Sequence, residues 1–335
     1  MEEKLVLLPQ PVEEEAVTVL RAAGLKTVTA PAPKPEAVAP LLKGAKAIVL
    51  RTGIKITRDL LEKADDLLTI SRTGAGVDNV DLEAATEKGV LVTSSLGVNT
   101  SSVMEHTLAL MMALFKQLPL LDREMRGNNF DIRYKNLPAD LREKTLGLVG
   151  FGRIGSSLAK VCHDGFNMRI IAFDEYLPED VKASYNGWVE FASAGEVARQ
   201  ADVVSIHIPL TDETTRFFNA AFFKNMKKSA FLLNTSRGGV VHEADLIQAL
   251  KDGVIAGAGL DVFENEPLRP DNGLLTLPNV ILTPHTAALT AECVVRMAVS
   301  GAQRVVEVFE GKIPGNIANP EALEHPRWKS RKSGA

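Results

Sequence analysis

The sequence predicts an α/β protein built from two doubly wound parallel sheets, and three observations carry that expectation. Short aliphatic runs alternate with helical patterns along almost the whole chain. The runs are mostly apolar instead of alternating, as strands are when both faces of a parallel sheet are covered. At 335 residues the chain exceeds the usual size of one hydrophobic core, so the pattern is expected to occur twice.

In chain order, residues 5–8, 47–50 and 67–71 read as strands of a first unit. Residues 146–150, 169–173, 203–207, 230–234, 257–260 and 280–282 read as strands of a second. A helix is expected to open at Thr100, with residues 99–102 offering N-cap chemistry. It contains the most apolar segment, 108–115, which is too short to span a bilayer and is expected to be buried. Another long helix is expected over about residues 290–310.

Composition is that of an ordinary globular protein, 45% hydrophobic and 24% charged. A net charge of −4 supplies no footprint for nucleic acid or an anionic membrane. The most basic stretch, residues 327–332, reads as a solvated tail, and the acidic start is unlike a signal peptide. Cys162 and Cys293 are far apart, so neither a disulfide framework nor a metal site is expected, and the cytoplasm is the simpler location.

The first chemical signal is Gly150-x-Gly152-x-x-Gly155, directly after one predicted strand and opening a helix. In that setting Gly150 allows a tight turn, Gly152 lets a pyrophosphate approach the backbone, and Gly155 permits close helix–strand packing. Asp174 ends the next strand, nineteen residues after Gly155, where a ribose-binding carboxylate is expected. A carboxylate there accepts hydrogen bonds from ribose hydroxyls and repels a 2′-phosphate, and no Arg or Lys follows in 175–178 to offset it. The cofactor is expected to be NAD, not NADP.

Three later segments each place a reactive side chain just past a strand: Arg237 before Gly-Gly, Glu266 before Pro267, and His285 after Pro284. Strand carboxyl ends are where ligands bind in doubly wound sheets, so these side chains are expected to converge. A neutral imidazole can take a hydroxyl proton, a neighbouring carboxylate stabilises the imidazolium, and an arginine fork suits an oxyanion. That set fits interconversion of a small 2-hydroxy acid and its 2-keto acid. Arg51 and Arg72, each following a strand of the first unit, are candidates to clamp a distal anion on the substrate.

With these motifs assembled, the chain resembles the D-isomer-specific 2-hydroxyacid dehydrogenases, and among them the short D-3-phosphoglycerate dehydrogenases. The resemblance runs from about Leu5 to Pro320 and rests on the segments 74–81, 148–155, 234–239, 259–267 and 284–287. It implies Arg237 as substrate anchor, His285 as general acid/base and Glu266 as its partner. It also implies Asp261 near the nicotinamide, Thr235 and the amides of Arg153 and Ile154 on the cofactor, and the Gly74-Ala75-Gly76 loop on the substrate carboxylate.

In fold, the resemblance implies a Rossmann-type NAD domain, 99–291, inserted into a flavodoxin-like substrate domain made of 1–98 and 292–335. A homodimer formed through the cofactor domains is implied as well, with D-3-phosphoglycerate as a candidate substrate. The sequence after His285 departs from the commoner pattern, reading Thr-Ala where an apolar residue and Gly are usual. The chain ends soon after Pro320, so the regulatory domain of longer relatives is not expected.

The same residues also admit a glyoxylate, hydroxypyruvate or generalist 2-keto acid reductase, a formate- or phosphite-oxidising relative, and an NADH-sensing regulatory scaffold. Glu266, where formate oxidisers carry Gln, and the Gly74–Gly76 loop, where phosphite oxidisers carry Lys, argue against the second pair. Among the remaining histidines, His207 is expected to be structural or to line the cofactor, and His106, His163, His242 and His325 have no comparable setting.

Overall fold

A computed structural model describes residues 4–135 and 137–328. Met1–Glu3 and most of the basic stretch 327–332 lie outside the described residues. Contacts divide the chain into two compact units, one formed by Met1–Asn99 and Leu289–Ala335, the other by Thr100–Ala288.

The first unit alternates β1 (Leu5–Leu8), α1 (Glu14–Ala22), β2 (Lys26–Thr29), α2 (Pro35–Val38), β3 (Ala45–Leu50), α3 (Arg58–Leu61), β4 (Thr69–Arg72), α4 (Leu82–Glu87) and β5 (Leu91–Ser94). Its five strands are all parallel in the order β2-β1-β3-β4-β5, the flavodoxin-like winding. One face packs Leu7, Ile48, Leu50 and Ile70 against the short helices. The opposite face packs Val6, Leu8 and Val49 against α1 and a long helix, Ala291–Phe309, that arrives from the far end of the chain.

That helix starts where Thr290 accepts a hydrogen bond from the Cys293 amide at 3.1 Å, and it buries Cys293, Met297, Gly301, Ala302, Val305 and Val308 along one stripe. The chain beyond it covers the β5 edge. Thr93 bridges Ile317 in antiparallel fashion, Asn319 accepts from the Val92 amide at 2.8 Å, and the Trp328 indole donates to the Gly89 carbonyl at 2.7 Å.

The second unit continues with α5 (Thr100–Phe115), α6 (Leu118–Arg126), β6 (Thr145–Val149), α7 (Arg153–Phe166), β7 (Arg169–Phe173), α8 (Glu179–Ala183), β8 (Val189–Phe191), α9 (Ala194–Gln200) and β9 (Val203–Ile206). It closes with α10 (Ala220–Asn225), β10 (Phe231–Asn234), α11 (Glu243–Lys251), β11 (Gly257–Leu260) and β12 (Val280–Leu282). Seven parallel strands lie in the order β12-β11-β10-β9-β6-β7-β8, the Rossmann winding, whose chain direction switches between β6 and β9. Helices α5 and α7 cover one face, and α9, α10 and α11 the other.

The strands expected at 5–8, 169–173, 257–260 and 280–282 appear with those bounds, and the other expected strands lie within two residues of theirs. Three were not expected: β2, β8 and β5. All three sit at the edges of their sheets. β2 is only part-buried and β8 has three residues, so neither presents an apolar run.

Candidate active site

The turn between β6 and α7 sits at the switch point of the second sheet. Gly150 has φ +98, and a Cβ there would lie 2.6 Å from the His207 backbone carbon just past β9. Only glycine meets both conditions. Gly152, by contrast, borders open space, with nothing within 4 Å of an added Cβ. The amides of Gly152, Arg153 and Ile154 donate to no acceptor among the described residues. A pyrophosphate fits that opening: unpaired N–H groups, a helix N-terminus and no side chain in the way.

Asp174, half-buried past the end of β7, accepts from the Phe151 amide at 2.7 Å through Oδ2, and from Tyr176 and Leu177 amides at 3.0 Å through Oδ1. It therefore braces the glycine turn and keeps a lone pair on Oδ2 for a ribose hydroxyl. The expected result is a preference for NADH over NADPH of roughly tenfold or more, since even part of the repulsion between like charges at about 4 Å exceeds the 1.4 kcal/mol that tenfold requires. Asp174→Asn should narrow it, and a wild-type protein equally active with either cofactor would remove Asp174 from the ribose.

Arg237, Glu266 and His285 come together at the carboxyl end of the same sheet. Buried Asn234 ends β10 and shapes the Arg237 turn, accepting from the Ser236 amide at 3.0 Å and donating to the Arg237 carbonyl at 2.9 Å. A Cβ on Gly238 would lie 1.9 Å from the Phe263 carbonyl, so glycine lets this turn press on the loop carrying Glu266. Arg216 anchors that loop from outside, donating to Glu264 Oε1 from Nε at 3.1 Å and from Nη2 at 2.6 Å.

Glu266 faces His285 across 2.7 Å, Oε2 to Nδ1, and its Oε1 accepts from the Phe263 amide at 3.1 Å. Partial burial is the largest single influence on Glu266 and pushes its pKa up. The hydrogen bond and charge of His285, the Phe263 amide and the Arg237 charge together outweigh it, and the carboxyl is held below its usual value. An ionised Glu266 only accepts, so Nδ1 of His285 carries a hydrogen, and in the neutral imidazole it is Nε2 that has the lone pair.

His285 itself has φ +52, in the left-handed region that non-glycine residues seldom occupy. Asp261 holds it there. This carboxylate is fully buried and accepts from the Thr286 amide at 2.8 Å, the Ala287 amide at 2.9 Å and the Thr283 hydroxyl at 2.6 Å, while the Asp261 carbonyl accepts from the His285 amide at 2.8 Å. Asp261, expected near the nicotinamide, has its carboxylate oxygens on the His285 loop. Thr235 is buried too, its hydroxyl 2.8 Å from that of Thr107.

In the first unit, Arg72 is buried and donates from Nε to Asn79 at 3.1 Å, with its guanidinium against Gly74. The amides of Gly74, Ala75 and Gly76 donate to no acceptor among the described residues, which leaves a row of N–H groups suited to a carboxylate. Arg51 does not join Arg72 in a clamp as expected. It pairs instead with Glu13 at 2.9 Å and reaches the Pro11 carbonyl, so its charge is already neutralised. The strand pattern gave no sign of Glu13, which lies just past β1 and 38 residues before Arg51 in the chain.

Comparison with known proteins bears on this constellation. The model of the D-isomer specific 2-hydroxyacid dehydrogenase NAD binding domain matches residues 108–287. The chain belongs to the D-isomer specific 2-hydroxyacid dehydrogenase family. It is 39% identical over 316 residues to a D-3-phosphoglycerate dehydrogenase of Methanocaldococcus jannaschii, covering 94% of this chain and 59% of that one. It is 37% identical to a glyoxylate reductase of Korarchaeum cryptofilum, covering 87% of this chain and 88% of the relative. A D-lactate dehydrogenase of Aquifex aeolicus, solved with NAD and lactic acid, matches with TM-score 0.83 and 30% identity over 94% of this chain and 99% of that one. The chain spans about three-fifths of the length of the archaeal phosphoglycerate dehydrogenases it matches.

As a family member the chain takes NAD in its second unit, and His207 lies where β9 meets the glycine turn. Its Nε2 is 2.8 Å from the Ser205 hydroxyl, and burial pushes its pKa down to about 4. The unfolded chain binds a proton there near pH 6.5 and the folded chain does not until about pH 4. Stability should therefore fall as pH drops through that window, by up to about 1.4 kcal/mol per unit from this group. Urea titrations of His207→Gln should show a shallower slope, and an unchanged slope would assign the loss to other groups.

No metal-binding cluster occurs among the described residues, and no described helix is long and apolar enough to cross a membrane.

Proposed function

We propose that this protein is an NAD-dependent dehydrogenase interconverting a D-2-hydroxy acid and its 2-keto acid. The observation that carries the reading is the His285–Glu266 pair at 2.7 Å, with Arg237 close enough to act on Glu266 by its charge. When bound, NAD supplies the acceptor or donor of a hydride at the substrate's C2. Gly152, Arg153, Ile154 and Asp174 would hold it, and Nε2 of His285 takes the C2 hydroxyl proton in oxidation and returns it in reduction. Glu266 stabilises the resulting imidazolium, and Arg237 offers a planar fork to the carboxylate or polarised C2 oxygen.

On this reading the second unit is the cofactor domain, 99–291, and the first, 1–98 with 292–335, is the substrate domain. Its Gly74–Gly76 amides bind the substrate carboxylate, and Arg72 lies beside them. A substrate whose far end is phosphorylated would bring an anion toward the Arg72 guanidinium, to which a planar fork is suited. The names of the relatives, phosphoglycerate dehydrogenase and glyoxylate reductase, bracket the choice.

If Arg72 reads a phosphate, 3-phosphohydroxypyruvate should show a higher kcat/KM than glyoxylate or pyruvate. Arg72→Ala should then remove about 10- to 100-fold of that preference, the worth of one charge-assisted hydrogen bond. Equal kcat/KM for phosphorylated and plain acids would leave a glyoxylate, hydroxypyruvate or generalist reductase. Failure to oxidise NADH with any 2-keto acid would remove the dehydrogenase reading altogether.

A homodimer through the second unit belongs to the same reading. Leu118, Met125, Phe130, Tyr134 and Leu137 are exposed within one short segment, an apolar surface that a second copy would cover. A cytoplasmic site accords with two buried cysteines that form no disulfide.

A further inference from the structure

His106 lies on α5, away from every motif above, yet its ring reaches the His285 loop. Its Nε2 is 2.9 Å from the Thr283 hydroxyl oxygen and 3.6 Å from Asp261 Oδ1. Thr283 donates its hydroxyl hydrogen to Asp261 at 2.6 Å. A hydroxyl has one hydrogen, so toward His106 that oxygen can only accept. His106 therefore carries its hydrogen on Nε2, and the order of donation runs from His106 to Thr283 to Asp261.

Asp261 in turn accepts from the amides of Thr286 and Ala287, the residues that follow His285. The next residue on α5 repeats the device. Thr107 donates its hydroxyl to the Val103 carbonyl at 2.7 Å, and so accepts from the Thr235 hydroxyl in the segment that leads to Arg237. Two adjacent helical side chains thus reach the two segments that carry the reactive groups.

We propose that His106 is a positioning residue for His285. By holding the Thr283 hydroxyl on Asp261 it fixes the loop 283–287 in the conformation that gives His285 its left-handed backbone. A helix of sixteen residues packed on the sheet is a stiffer reference than the loop itself. The inference rests on the reading of His285 as the acid/base and adds to it the group that sets its place.

The test compares His106→Leu, which keeps volume but loses the donor, with His106→Gln, which keeps an N–H of similar reach. His106→Leu should lower kcat by about 10- to 100-fold, as small misplacements of a reacting group do. KM for NADH, NADH affinity by fluorescence and Tm should stay at wild-type values, and His106→Gln should recover most of the lost kcat. In isotope-labelled protein without ligand, the NMR spectrum should show His106 as the Nε2–H tautomer.

Wild-type kcat in His106→Leu, equal losses in both variants, a loss matched by a fall in Tm, or an Nδ1–H tautomer would each overturn the proposal. His285→Ala, assayed beside them, separates the two failures. If it is inactive while His106→Leu is unimpaired, only the positioning role falls. If it turns over normally, the acid/base reading falls and this inference with it.

Discussion

His285→Ala should lower kcat by at least about 100-fold, the lower end of what a positioned general base contributes, while NADH still binds. The imidazole is held by a carboxylate at 2.7 Å beside Arg237, and the amides that follow it in the loop are occupied with Asp261. Glu266→Gln should cost less, because the ring and its Nε2 remain. It should move the pH profile of kcat to lower pH, since the imidazolium loses the ionised partner that stabilises it. Steady-state kinetics from pH 5 to 9, on the order of the range a histidine and its neighbours titrate over, would read both effects. Turnover of His285→Ala at the wild-type rate would sink the mechanism.

Asp261→Ala should be the most damaging change away from the reacting groups. It strips acceptors from the Thr283 hydroxyl and from two amides in one fully buried place. At about 1–3 kcal/mol for each buried donor left unpaired, the loss should reach about 3 kcal/mol or more. The loop would then relax from the left-handed conformation at His285, and kcat should fall by about 100-fold on top of the lost stability. Thermal melts together with kinetics would decide. A variant with wild-type Tm and kcat would show that the buried carboxylate does not hold the loop.

Much of the site was legible because its chemistry lies in short runs at strand ends. Gly150, Gly152 and Gly155 announce themselves by spacing, and Arg237, Glu266 and His285 each follow a strand by a few residues. Doubly wound topology then brings such ends together without further information. What escaped reading was whatever depends on packing between distant segments. The sequence around Asp261 does not show that its buried oxygens also hold the His285 loop. His106 stands 177 positions from Thr283 in the chain and carries no local sign of it. Arg51 looked available because the sequence does not show Glu13 folding over it.

The covered edge of β5 has a consequence for the order of assembly. The strands of the first unit are made before the second unit, yet the helix that fills one face follows β5 by nearly two hundred residues, and the segment that seals the last edge comes later still, 227 residues separating Val92 from Asn319. Between those moments the nascent chain carries an open strand and an apolar sheet face, both adhesive toward other chains. The second unit, continuous in sequence, can finish its own sheet during that interval. Closing the first unit then means bringing together two chain segments across a folded insert, and the entropy of doing so rises only slowly with the length between them. The vulnerable period of this protein is therefore during its synthesis, when a chaperone bound to the early sheet would stand in for the unmade C-terminal segment.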